Sequence, residues 1–309
     1  MADTQSAHRI ELSFRNVIIL SLGLVVTAFL ALGSHDVAIA HLGIPSPNES
    51  AVPAWAKYIG QIVRLASMVY ACHLASWYLD RRSTLVAATI FGILIVLFQE
   101  TFRVIVMDNV VSDGWIDLRW LYLLMIRLPN VLLSFYSGVV AVVVARHLKK
   151  SSPARMAIVI AVAAATGLFV IIPVFKAATD TIITSFHLTV APEIHRMPYG
   201  IYVYKYIYGM FIEPTIAAFV LAYLLLPALQ GSKFRRIFVF TLVLLLIRGR
   251  VIGTGMFSFW IDGRWPMAVA SEGQFFVETL VLAGLTGLIW ASVTPSIMTA
   301  KKSAEAVLR

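Results

Sequence analysis

Charge is scarce in this chain: Asp, Glu, Lys and Arg make up 13% of its 309 residues, where a soluble domain carries about 25%. Cysteine is nearly absent. Cys72 stands alone, which excludes a disulfide framework and any metal site built from several thiolates. Glycine motifs that cradle phosphates are missing, as are a His-Glu-x-x-His pair and a Gly-x-Ser-x-Gly elbow. Neither a metal nor a cofactor is therefore expected. What abounds is apolar: 60% of residues are hydrophobic and the mean hydropathy is +0.85. Only a bilayer, replacing water around the side chains, lets a chain of this length expose so much apolar surface.

A spanning helix needs about 20 mainly apolar residues. Eight segments qualify: 16–34, 57–79, 84–106, 120–145, 155–176, 201–227, 236–258 and 271–293. The first has Asp3 and Glu11 in its flank and is too long for a signal peptide, so it reads as a helix. The fold class expected is an all-α integral membrane protein of about eight transmembrane helices. The net charge of +9 lies in short runs between apolar segments, which argues for orientation and against a nucleic-acid partner. Fourteen Lys and Arg fall on the side that holds both termini, against six on the other. Both termini are therefore expected in the cytoplasm, in a plasma membrane of the bacterial inner-membrane kind.

The chain also repeats itself. Trp115-Ile116-Asp117-Leu118-Arg119-Trp120 answers Trp260-Ile261-Asp262-Gly263-Arg264-Trp265, and Arg103-Val104-Ile105 answers Arg250-Val251-Ile252. Lys57-Tyr58-Ile59 answers Lys205-Tyr206-Ile207, and His41-Leu42 answers His187-Leu188. All four matches run in the same order. They predict two four-helix repeats, 16–146 and 155–293, joined by a cytoplasmic linker at 147–154, with cytoplasmic tails at 1–15 and 294–309. Four spans per copy give both copies one orientation, and so a pseudo-two-fold axis along the membrane normal.

Ionisable residues at membrane depth are costly and mark function or helix docking. Arg64 and Glu213 lie about 10 Å inside their helices, and so do Arg127 and Glu272. Arg103, Arg248, Arg250, Glu100 and Glu278 also fall in the outer half. Aligning the copies puts Arg64 opposite Glu213 and Arg127 opposite Glu272, which predicts ion pairs between halves. Arg103 and Arg250 are expected to sit symmetrically near the outer mouth. Arg248 has no charged counterpart and becomes the candidate for gripping a ligand. Arginine suits carboxylate or phosphate through its planar fork.

Some residues carry weaker signals. Asp117 and Asp262 could cap the helices that follow them. Asp-x-Arg leading into an apolar helix resembles the motif of LytS-type membrane sensor domains, over these few residues only, and implies no function here. Asp108, Asn109, Asp113 and Asp117 resemble the aspartate-rich motif of membrane prenyltransferases but read as a solvated outer loop. His187, Glu193 and His195 share another outer loop and could meet a metal only if the fold gathers them.

The expectation is a multi-pass transporter or binding protein for a small, anionic solute or lipid head group. Its site would be an outward cavity between the repeats, lined by Arg64, Arg103, Arg127, Glu213, Arg248, Arg250, Glu272 and Glu278. Membrane lipids are its expected surroundings. One alternative is an integral membrane enzyme acting on a lipid-linked substrate at the outer leaflet, with Glu213 or Glu278 as acid–base group. Another is a non-catalytic subunit of a larger complex, docking through Gly284 and Gly287.

Overall fold

Residues 13–111, 118–188, 201–261 and 263–293 are described by a computed structural model. Their helices in chain order are α1 (Phe14–Asp36), α2 (Ala54–Leu74), α3 (Ser76–Leu79), α4 (Thr84–Phe98), α5 (Thr101–Val111) and α6 (Arg119–His147). Then follow α7 (Pro153–Thr166), α8 (Ile172–Ser185), α9 (Ile201–Met210), α10 (Ile212–Leu225), α11 (Lys233–Ile247), α12 (Arg250–Gly255) and α13 (Trp265–Val293). A π-turn extends α1 to His41 and another joins α7 to α8. No strand forms among the described residues.

Serine starts four of these helices. Ser13, Ser83, Ser152 and Ser232 precede α1, α4, α7 and α11, each in extended backbone. Each hydroxyl accepts from the amide three residues on. That satisfies one of the amides a helix start leaves unpaired. Basic residues hold the turns at the same end of the bundle. Arg146 donates to the carbonyls of Leu79 and Arg82 and to the Thr84 hydroxyl, and Arg236 donates to the Leu226 carbonyl.

Five continuous helical stretches are long and apolar enough to cross a membrane: Phe14–His41, Trp120–His147, Pro153–Ser185, Tyr204–Ala228 and Trp265–Val293. A sixth is possible if α11 and the segment Arg250–Phe259, bent from each other by 75°, count as one span. The other two expected spans are present as helices but differ in kind. The α2 helix carries Lys57, Gln61, Arg64 and His73 along 21 residues. The α4 helix is apolar but ends after 15 residues, where the expected span 84–106 breaks into α4 and α5. The class is thus all-α and of multi-pass membrane type, with five or six such spans among the described residues.

Packing places α2 and α10 at the centre. Leu65, Met68, Ala71 and Cys72 of α2 are buried, as are Ala217, Leu221, Ala222 and Leu225 of α10. The α10 helix lies against α4, α1 and α13, while α2 lies against α11, α7 and α6. The α1 helix runs along α13, and α8 runs along α6. The backbones of α4 and α6 come close enough that a Cβ on Gly138 would stand 2.7 Å from Gly92 Cα, so only glycine fits there. Leu22, Val25 and Phe29 of α1 and Ile158, Val162 and Phe169 along α7 and its π-turn face outward. Apolar side chains exposed in this way belong against lipid.

Candidate functional site

Two helices stop inside the bundle, and the site is built around the stops. After Phe98 the chain turns through Gln99 and Glu100, with Glu100 at φ 58°, before α5 resumes. After Ile247 it turns through Arg248 and Gly249, with Gly249 at φ 74°, before α12 resumes. The two stops face each other and exchange donors. Gln99 Nε2 donates to the Ile247 carbonyl at 3.2 Å, and Arg248 Nε donates to the Phe98 carbonyl at 3.0 Å. Each turn thereby serves a carbonyl that the other helix leaves without an intrahelical partner.

A buried charge network closes around the first stop. Arg248 pairs with Glu100, with Glu278 at 3.0 Å, and with the Thr279 hydroxyl at 3.1 Å. Arg103 pairs with Glu100 through two nitrogens, Nη2 at 2.5 Å and Nε at 2.9 Å. His35 Nδ1 stands 3.7 Å from Glu278. Glu213 reaches across from α10 to accept from the amides of Phe102, at 3.2 Å, and Arg103, at 2.5 Å. A carboxylate at the first turn of α5 satisfies its open amides and complements its dipole.

The second stop lies beside a cavity of about 480 Å³. Lys57, Gln61 and Arg64 of α2, Gln99, Asn130 of α6, Arg248, Arg250 and Gly253 line it, with Glu49 and Glu272 as its acids. A smaller cavity of about 210 Å³ shares Arg64, Gln99 and Asn130 and adds Glu100, Arg127 and Ser134. Arg64 donates through Nε to the Ile247 carbonyl at 3.2 Å and through Nη1 to Gln61 at 3.5 Å. Arg250 lays its guanidinium over the Phe275 ring, 4.7 Å from the centroid, and has no ion pair or hydrogen-bond partner for that group among the described residues. Glu272 is 2% exposed, and its Oε1 has no hydrogen-bond partner in the described protein. A Cβ on Gly253 would stand 2.6 Å from Glu272 Oε2, so this carboxylate occupies the place of a side chain.

All eight residues expected at the site stand at one of these three places, but the expected pairs do not form. Arg64 and Glu213 do not meet. Each goes instead to the stop of the helix it packs against, Arg64 to the last carbonyl of α11 and Glu213 to the first amides of α5. Glu272 forms no ion pair with Arg127 and lies over Gly253. Arg103 and Arg250, expected to be symmetric, differ: one is held by Glu100, the other projects into the cavity. Arg248, expected to grip a ligand, is instead bonded to the Phe98 carbonyl, Glu278, the Thr279 hydroxyl and Glu100.

Sequence reasoning missed Glu49, Gln61, Gln99 and Asn130 as lining and His35 and Thr279 as partners. One signal was available for Thr279, since Glu272, Phe275 and Thr279 recur at the spacing of one helical face. Glu49 was beyond such reach. It is brought over α13 because Ser271 and Gln274 both donate to the Pro45 carbonyl, at 2.8 and 3.0 Å.

The carboxylates considered for acid–base work are already engaged, Glu213 by amides and Glu278 by Arg248. Gly287 packs against Ile237 and Phe240 and is not an open docking face, whereas nothing lies within 4 Å of a Cβ on Gly284. Asp113, Asp117, Glu193, His195 and Asp262 lie outside the described residues. Among the described residues no three His, Cys, Asp or Glu gather into a metal site, and the Asn109 amide bonds within its own helix to the Ile105 carbonyl. The sequence matches no family model, no curated protein and no solved structure. The site and fold alone define the class, a multi-pass helical membrane protein with a charged cavity inside it.

Proposed function

We propose that this chain is a membrane transporter or binding protein for a small anionic solute or lipid head group, held in the cavity beside the second helix stop. One observation carries the reading: Arg250 lines that cavity with its Nε buried and unbonded, and with its guanidinium in no hydrogen bond or ion pair among the described residues. A cation at membrane depth without a partner is costly, and an anionic ligand would relieve the cost. Arg64 and Lys57 line the same cavity and add donors of the same sign.

The reading includes two parallel four-helix units, 16–146 and 155–293. Several correspondences support the duplication. The α4 and α11 helices both begin after a serine cap, both run 15 residues, and both end in a turn with positive φ. The contacts correspond as well: α1 with α13 matches α8 with α6, and α2 with α11 matches α10 with α4. With the basic loops in the cytoplasm of a bacterial inner membrane, the cavity opens outward through Glu49, Lys57 and Phe257.

Two measurements test the proposal. Purified protein should be stabilised against heat by millimolar phosphate or a small carboxylate, and Arg250→Gln should abolish the shift. An equal shift in wild type and Arg250→Gln overturns the site. Uptake into proteoliposomes then separates transport from binding. For orientation, Ser50→Cys in a Cys72→Ser background should react with an impermeant thiol reagent on whole cells, and Lys149→Cys should not. The reverse pattern overturns the outward opening.

A further inference from the structure

The cavity holds an unpaired acid as well as an unpaired base. Glu272 is almost wholly buried, lines the same space as Arg250 and Arg64, and its Oε1 has no donor among the described residues. A buried acceptor without a donor is costly and uncommon. The protein contains a donor that could serve it. Arg250 is close enough to act electrostatically on Glu272, yet its guanidinium lies over Phe275 and makes no bond to the carboxylate. Gly253 contributes too, because any side chain there would push Glu272 from its position. Glu49 adds a second negative charge at the rim.

Building on the anion-site reading, we infer that the ligand is a small zwitterion. Its acid group meets Arg250 and Arg64, and its ammonium donates to Glu272. A simple anion would leave Glu272 unsatisfied and would bring a second negative charge toward it. A simple amine would leave Arg250 as it is and would bring a second positive charge toward that residue. One skeleton bearing both groups satisfies both side chains and adds no net charge to the cavity. The chemistry fits a free amino-acid-like solute or the ethanolamine phosphate head of a lipid.

Matched probes test this by calorimetry on the full-length protein in detergent: glycine against acetate, and phosphoethanolamine against inorganic phosphate. In wild type the zwitterion of each pair should bind about tenfold or more tightly than its anion, the scale of one hydrogen bond to a charged group. Glu272→Gln should bring that ratio close to one while leaving anion binding in place. Gly253→Ala, which displaces the carboxylate without removing it, should lower the same ratio. A wild-type ratio near one, or a ratio unchanged in Glu272→Gln, overturns the zwitterion and leaves the anion site standing. No binding of any of the four probes overturns both readings. Nanodiscs with and without phosphatidylethanolamine separate the sources: competition by the lipid assigns the head group, and its absence assigns the free solute.

Discussion

The same backbone device appears twice in this molecule, with opposite endings. At the α4–α5 stop every charge is answered. Glu213 covers the first amides of α5, and Glu100 draws in both Arg103 and Arg248. At the α11–α12 stop Arg64 covers the last carbonyl of α11, but no side chain caps the start of α12. Beside it Arg250 Nε and Glu272 Oε1 have no hydrogen-bond partner among the described residues. The helix dipole explains which residue serves which stop, since an acid suits an N-terminus and a base suits a C-terminus. One stop is sealed and ties α4 and α5 to α10, to α13 and to the turn after α11. The other borders open space, and there the chemistry is left for something else to complete.

Breaking the sealed stop should have the largest effect. Arg248→Gln leaves Glu100 and Glu278 buried without their shared cation, a loss of about 3–5 kcal/mol. Little folded protein should accumulate in the membrane, measured by fluorescence-detected chromatography of a tagged variant. Normal accumulation would show that the network is not what joins these helices. Glu213→Gln should cost about 1–3 kcal/mol, the range for leaving a buried donor unmet, read as a lower midpoint in denaturant. Gly249→Ala should cost about 1–2 kcal/mol, because alanine resists the left-handed turn. Arg250→Gln should cost only about 0.5–1 kcal/mol, the worth of its guanidinium lying over the Phe275 ring. If Arg250→Gln destabilises as strongly as Glu213→Gln, the two stops are alike and the comparison fails.

Composition and apolar run length made the helical membrane class legible, because the bilayer imposes both. The stops were not legible. Gln99 and Arg248 end their helices by bonding to carbonyls 148 and 150 positions away, and no local pattern announces that. The alignment of the copies made Arg64 and Glu213 corresponding residues, and correspondence became an expectation of contact that the structure does not bear out. Equivalent side chains touch only where they lie on the axis relating them. Elsewhere each meets the other unit's different element. Arg248 was misread for a related reason. Its lack of a charged counterpart was visible, whereas its anions come from the stop on α4 and from α13, outside the window of any motif.

The pairing of α1 with α13 has a consequence in time. The α1 helix is made well before α13, its principal neighbour among the described residues. The bond from Ser271 to Pro45 closes a separation of 226 positions, which a ribosome working at about 5–20 residues per second covers in about 10–50 s. Throughout that interval His35 lacks Phe275 and Glu278, and Arg248 is already in place before Glu278 exists. A chain that stops short of α13 loses one helix from its mass, but also the partner of α1 and half the neutralisation of Arg248. Such fragments should be degraded more readily than their length alone would suggest.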